Sequence, residues 1–138
     1  MKTKLPGLGD VIAIPTAKAW VLARVLYESS YFKDLILLQV AMREVGEPTT
    51  AVTACEHHEP VLLVYTGKRG IEKRKWRVIG KKDVDPEELE HSLRVVAGGV
   101  WKGDSYLRPA SSEDRRLLPT MDVLGHRAVE ERIVALLR

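Results

Sequence analysis

Three features of the chain predict an α+β fold. The stretch Gly9 to Glu28, GDVIAIPTAKAWVLARVLYE, reads as two apolar strands separated by a short turn, the first hairpin of a small barrel. Further short apolar runs bounded by glycine, proline and serine bring the expected count to at least five strands by residue 80. The segment from Asp122 to Arg138 places Val129, Ile133, Leu136 and Leu137 at helical spacing. The expected architecture is a small twisted antiparallel sheet, or a partly open SH3-like barrel of five or more strands, with a C-terminal α-helix packed on it.

The first strand spans Asp10 to Pro15, entered through Gly7 and Gly9 and closed by a proline, which has no N–H to give to a ladder. Thr16 to Lys18 form the turn. Ala19 to Tyr27 are apolar on both alternating faces except at Arg24, the pattern of a strand buried on both sides. The run from Asp34 to Val45 fits helix and strand by periodicity, because Leu35 to Leu38 are consecutive apolar residues. Its position between turn signals favours a strand over Leu35 to Glu44. Thr49 to Thr53 is β-branched and reads as a short edge strand, Val61 to Tyr65 as a buried strand, and Lys75 to Gly80 as another beyond a turn at Gly67 to Gly70.

Asp85-Pro86-Glu87-Glu88 has the form of a helix start, with Asp85 as N-cap and Pro86 at the first helical position. That helix should end near Leu93. Val100-Trp101 and Ser105 to Leu107 are expected as short strands around a turn at Lys102 to Asp104. Ser111 or Ser112 should cap a second short helix that ends at Pro119. With 138 residues, no repeats and no linker, a single domain over residues 1–138 is expected.

Composition excludes disorder, since 45% of residues are hydrophobic and 30% charged. The lone cysteine, Cys55, rules out an intrachain disulfide framework and suits a reducing compartment. No apolar run approaches the ~18–20 residues of a membrane span, and the N-terminal lysines are followed by no apolar leader core, so a cytoplasmic protein is expected. The net charge is +3, but the cations crowd into Lys68 to Lys82 and acids follow at once from Asp83 to Glu90.

CEHHE, Cys55 to Glu59, is the cluster with metal-ligand residue types. A structural zinc site takes four ligands, commonly in two spaced pairs, and the chain has no second cysteine. A polar loop with solvated His57 and His58 is preferred, so no metal and no cofactor are assigned, and whether these residues bind metal stays open at this point. A Cys55 nucleophile fares worse, because sequence neighbours rarely have nucleophile–base geometry. His91 and His126 stand alone and read as helix-surface or interface histidines. Neither a phosphate-binding P-loop nor a hydrolase elbow occurs, so no enzyme activity and no catalytic residue are expected. The basic segment supports a nucleic-acid alternative, in which Lys68, Arg69, Lys73, Arg74 and Lys75 would contact phosphates and Trp76 would stack on a base; the preferred reading is a charged hairpin that keeps an edge from pairing with other chains, with Trp76, followed by Arg77, Val78 and Ile79, in the core or half-core.

GDVIAIP from Gly9 to Pro15, the Trp20-containing strand that reaches RVL, WRVIG from Trp76 to Gly80, YLRPASSEDRRLLP from Tyr106 to Pro119 and GHRAVEERIVALL from Gly125 to Leu137 together resemble the polymorphic-toxin immunity protein family twenty-six. The resemblance covers most of the chain. The TAKA turn is short where the family often carries a glycine, and Gly46 to Pro60 has no counterpart. What the resemblance implies is a bacterial protein that binds and neutralises a cognate toxin domain. It marks scaffold positions Gly9, Asp10, Pro15, Trp76 and Gly80, and assigns no toxin-binding residue.

For such a partner, residue type and expected loop position select Tyr31, Phe32, Arg69, Trp101 and Tyr106 as anchors, since aromatic residues and arginine dominate binding hot spots. The basic character makes the chain a poor mimic of DNA, which disfavours a nuclease toxin blocked by charge mimicry. The toxin's identity, the interface and the oligomeric state are not written in the residues.

Overall fold

The Gly9–Glu28 stretch folds as the expected hairpin. In a computed structural model, which describes residues 7–46, 61–68 and 76–137, strand β1 (Asp10–Pro15) pairs antiparallel with β2 (Trp20–Glu28). Thr16 closes the turn twice: its N–H donates to the Ala19 carbonyl (2.9 Å) and its Oγ1 accepts from the Ala19 N–H (3.1 Å). Gly9, with φ of +84°, makes the entry turn in a conformation that side chains other than glycine rarely adopt.

Strand β3 (Leu35–Ala41) answers the helix-or-strand question. All seven of its residues are buried, and it pairs antiparallel with β2 and β4 (Val61–Gly67), so both of its faces are covered. Strand β5 (Arg77–Lys81) adds to β1 from the other side. The chain then forms a 3-10 helix over Pro86–Ser92, in which the Asp85 N–H donates to Glu88 Oε1 (3.0 Å). The acids at the expected helix start are thus in place, but the helix is the tighter kind.

A second sheet follows, an antiparallel meander of β6 (Arg94–Val96), β7 (Gly99–Lys102) and β8 (Ser105–Pro109). Strands β7 and β8 match the expected pair. Strand β6 goes unread in the sequence because three residues are too few for a periodicity. Helix α1 (Ser112–Leu117) starts at Ser111, whose Oγ accepts from the Asp114 N–H (3.0 Å) while Asp114 accepts from the Ser111 N–H (3.0 Å).

The last helix, α2 (His126–Leu137), begins four residues later than Asp122. Val123–Leu124 instead form β9, a parallel addition to the edge of β4, secured by Thr66 Oγ1 donating to the Leu124 carbonyl (2.7 Å). The six-stranded sheet has the order β5-β1-β2-β3-β4-β9. Among the described residues it is open, with edges at β5 and β9, and does not close into a barrel.

Each face of the large sheet has its own core. On one face Ile12, Ile14, Val21, Val25, Ile36, Leu38 and Val40 pack with Trp76 and with Val129 and Ile133 of α2. On the other, Leu26, Tyr27, Leu35, Leu37 and Tyr65 pack with Phe32, Val84, Leu89 and Met121. A bulge between Val25 and Tyr27 breaks the alternation, so Leu26 and Tyr27 both join this second cluster. The cover of this second face stops short of the beginning of β4: Val61 and Leu63 are exposed, and of the expected buried strand Val61 to Tyr65 only Val64 and Tyr65 are sealed.

The segment before α2 joins the two sheets. The Val95 N–H donates to the Pro119 carbonyl and the Met121 N–H to the Val95 carbonyl (both 2.8 Å), after which the chain reaches β9. Among the described residues no helix is long and apolar enough to cross a membrane.

Candidate partner-binding surface

The β2–β3 loop and the tip of the β7–β8 hairpin, more than 70 residues apart in sequence, meet at one carboxylate. Asp104 Oδ1 accepts from the Tyr27 hydroxyl and from Ser29 Oγ (2.5 Å). Its Oδ2 accepts from the Ser30 N–H (2.8 Å), the Ser30 hydroxyl (2.9 Å) and the Tyr31 N–H (3.3 Å). Ser29 folds the loop from within, because its Oγ also accepts from the N–H groups of Tyr31 (3.1 Å) and Phe32 (2.6 Å). Burial by itself would raise the Asp104 carboxyl; the hydrogen bonds from Ser29, Tyr27 and Ser30 outweigh it and hold the group well below the usual carboxylate range.

Behind this junction lies Arg94, fully buried. Its guanidinium donates to the carbonyls of Ser92 (3.1 Å) and Gly103 (2.7 Å), and its carbon sits 5.3 to 5.6 Å from the ring centroids of Tyr65, Tyr27 and Phe32. The negative faces of three rings and two carbonyl dipoles thus replace water around the charge, although Nε makes no hydrogen bond. Gly103, with φ of +58°, turns the hairpin against Leu89 and Tyr27, and its N–H donates to Ser92 Oγ (2.8 Å).

On this base four of the five expected anchors come together. Tyr31 and Phe32 meet edge-on with ring centroids 4.9 Å apart, and Trp101 lies 5.4 Å from Tyr31 and 5.3 Å from Phe32. Tyr106 completes the row 5.8 Å from Trp101. Tyr31 is 68% and Tyr106 55% exposed, while Phe32 and Trp101 are half-buried beneath them. The rings fill against one another, and the spacing leaves no slot for a planar ligand between two of them. Tyr106 also lies over Gly99, where a Cβ would meet its Cε2 at 2.5 Å.

The fifth anchor, Arg69, lies outside the described residues, as do Lys73, Arg74, Lys75, Thr49 to Thr53, and the Cys55, His57 and His58 cluster. Of the nucleic-acid set only Lys68 is described, and its ammonium pairs with Glu28. Trp76 cannot stack on a base: it is buried under α2, where its Nε1 donates to Glu130 and its ring lies 4.8 Å from that of His126. His126 therefore packs at the junction of helix and sheet, and His91 is exposed on the 3-10 helix.

A concavity of about 480 Å³ lies between the β1–β2 turn at Pro15, Thr16 and Ala17 and residues Glu130, Glu131, Val134 and Ala135 of α2. It is an open groove lined mainly by small and apolar groups. Among the described residues no three His, Cys, Asp or Glu side chains gather as a metal site would require.

Sequence reasoning missed Asp104 and Arg94. A Gly-Asp pair in a hairpin turn looks the same whether its carboxylate faces water or a distant loop. Arg94 left a fainter signal, a lone charge beside Leu93, Val95 and Val96. Comparison with family models, with curated proteins and with solved structures yields no match to the chain.

Proposed function

We propose that the chain is a bacterial immunity protein, acting in the cytoplasm, that binds a cognate toxin domain noncovalently and neutralises it without chemistry of its own. The observation that carries this reading is the row Tyr31, Phe32, Trp101 and Tyr106, in which two tyrosines stand exposed on a half-buried base. Aromatic side chains held in this way lose little conformational freedom on binding and supply large contact area, the properties of hot-spot residues. The resemblance of the scaffold to immunity family twenty-six supplies the class of partner.

An interface of standard size covers ~800 Å² on each side, and truncating a hot-spot residue costs ~2 kcal/mol or more. The test is co-expression with the toxin-like protein encoded beside this chain. The wild-type chain should protect the cell and co-purify with the toxin. A Tyr31→Ala/Tyr106→Ala variant should fold normally, since both side chains are largely exposed, yet bind at least ~30-fold more weakly. A neighbouring gene without a toxin-like product, or no protection by the wild-type chain, removes the reading, and full protection by that variant moves the interface away from the aromatic row.

A further inference from the structure

We infer that Asp104 is the positioning residue of the aromatic surface: its carboxylate holds the β2–β3 loop and the β7–β8 hairpin in one fixed arrangement before any partner arrives. Five donors converge on this carboxylate, and all of them come from Tyr27, Ser29, Ser30 and Tyr31. Across the seam, Tyr31 and Phe32 otherwise meet Trp101 through ring contacts alone, and ring contacts tolerate sliding where hydrogen bonds do not.

The carboxylate is itself immobilised from behind. Its neighbour Gly103 is fixed at both backbone groups, the N–H by Ser92 and the carbonyl by Arg94. Arg94 in turn lies against the rings of Tyr27 and Phe32, one a donor to Asp104 and the other a member of the row. The same arginine thus supports both sides of the seam. The β2–β3 loop also carries Asp34 at φ of +61°, a strained conformation for a residue with a side chain, and its carbonyl accepts from the Lys68 N–H (2.8 Å). A loop with such a residue keeps one shape only when its surroundings enforce it.

The consequence for binding rests on the proposed function. A surface ordered in advance avoids the cost of ordering on contact, and that gain falls mainly on the dissociation rate. Asp104 would act on the partner through Tyr31, Phe32 and Trp101, without touching it.

The test compares wild type with Asp104→Asn and Asp104→Ala by amide hydrogen exchange and near-ultraviolet circular dichroism on the free protein. Exchange at the Ser30, Tyr31 and Phe32 amides should accelerate at least ~10-fold, with Leu37 and Leu38 in β3 unchanged, and the near-ultraviolet signal of Trp101 should weaken. Equal protection of the loop amides in wild type and variants overturns the inference, as does uniform acceleration across β3, which would mark a general loss of stability. Should Asp104→Ala fail to fold, Asp104→Asn carries the same comparison. Against the co-purified toxin, the variants should dissociate at least ~10-fold faster with little change in association rate. Loosened loop amides without any toxin binding would sink the proposed function and leave the positioning role standing.

Discussion

Removing Glu88 probes how the 3-10 helix is fastened to the large sheet. Arg24 rises from the middle of β2 on the face opposite α2, with its side chain only 4% exposed. Its guanidinium donates to the Asp83 carbonyl (3.1 Å) and Gln39 Oε1 (3.2 Å), and pairs with the Glu88 carboxylate; Nε makes no hydrogen bond. In Glu88→Ala the remaining named acceptors are neutral. Taking one partner from a buried ion pair costs ~3–5 kcal/mol. Glu88 is 24% exposed, so water re-enters part of the gap, and we expect a loss of ~2–3 kcal/mol. Glu88→Gln keeps the bulk and an acceptor and should cost ~1 kcal/mol, the difference between a charged and a neutral hydrogen bond. A charge-free Arg24→Met/Glu88→Leu protein should recover part of the Glu88→Ala loss, since apolar residues of similar volume often replace a buried pair, and should settle ~1–2 kcal/mol below wild type because it also removes the hydrogen bonds to Gln39 Oε1 and from the Asp85 N–H. Urea unfolding at constant m-value reads all of these. A Glu88→Ala cost under ~0.5 kcal/mol, or a double variant as unstable as the sum of the singles, refutes the reasoning.

Ile133→Ala should cost ~2–5 kcal/mol in the same assay, because the side chain is fully buried between α2 and the sheet and its removal leaves a cavity. Gly99→Ala should push the Tyr106 ring outward, given the 2.5 Å approach; near-ultraviolet dichroism should change while stability moves by less than ~1 kcal/mol, since Tyr106 has solvent to move into. Alkali should weaken the fold through Tyr65 and Tyr27. Burial raises both phenols, Tyr65 to about 12, so the folded chain keeps protons that the unfolded chain releases from ~pH 10. Stability should therefore be full below ~pH 10 and decline as pH rises towards 12, and Tyr65→Phe should flatten the slope measured between those limits.

Local chemistry made much of the fold legible. Pro15, the Thr16 turn, the Ser111 cap and the doubly buried pattern of β2 each act within a few residues, where sequence carries the information. Failures occurred where a distant element decided the outcome. Val123–Leu124 have helical neighbours, but the edge of β4 offered them a ladder. At the candidate surface, residue type and loop position found Tyr31, Phe32, Trp101 and Tyr106. They could not show that these side chains touch, because contact depends on how the second sheet docks. Asp104 was illegible for the same reason: every donor to it lies at least 73 residues away.

The seam between the sheets ties the aromatic row to the core through single side chains. Tyr27 belongs to the second core by its ring and to the Asp104 junction by its hydroxyl. Phe32 packs against the same core and against Trp101, and Arg94 contacts both rings from below. An exposed row of aromatic residues is costly to keep in water, and a loose one would collapse onto the surface or recruit other chains. Anchoring its base in the core limits that freedom, while the exposed tyrosines remain able to vary. Under the proposed function, Tyr31 and Tyr106 would be free to change with the partner as long as Tyr27, Arg94 and Asp104 keep their places, which would separate the residues that choose a partner from those that hold the choice in position.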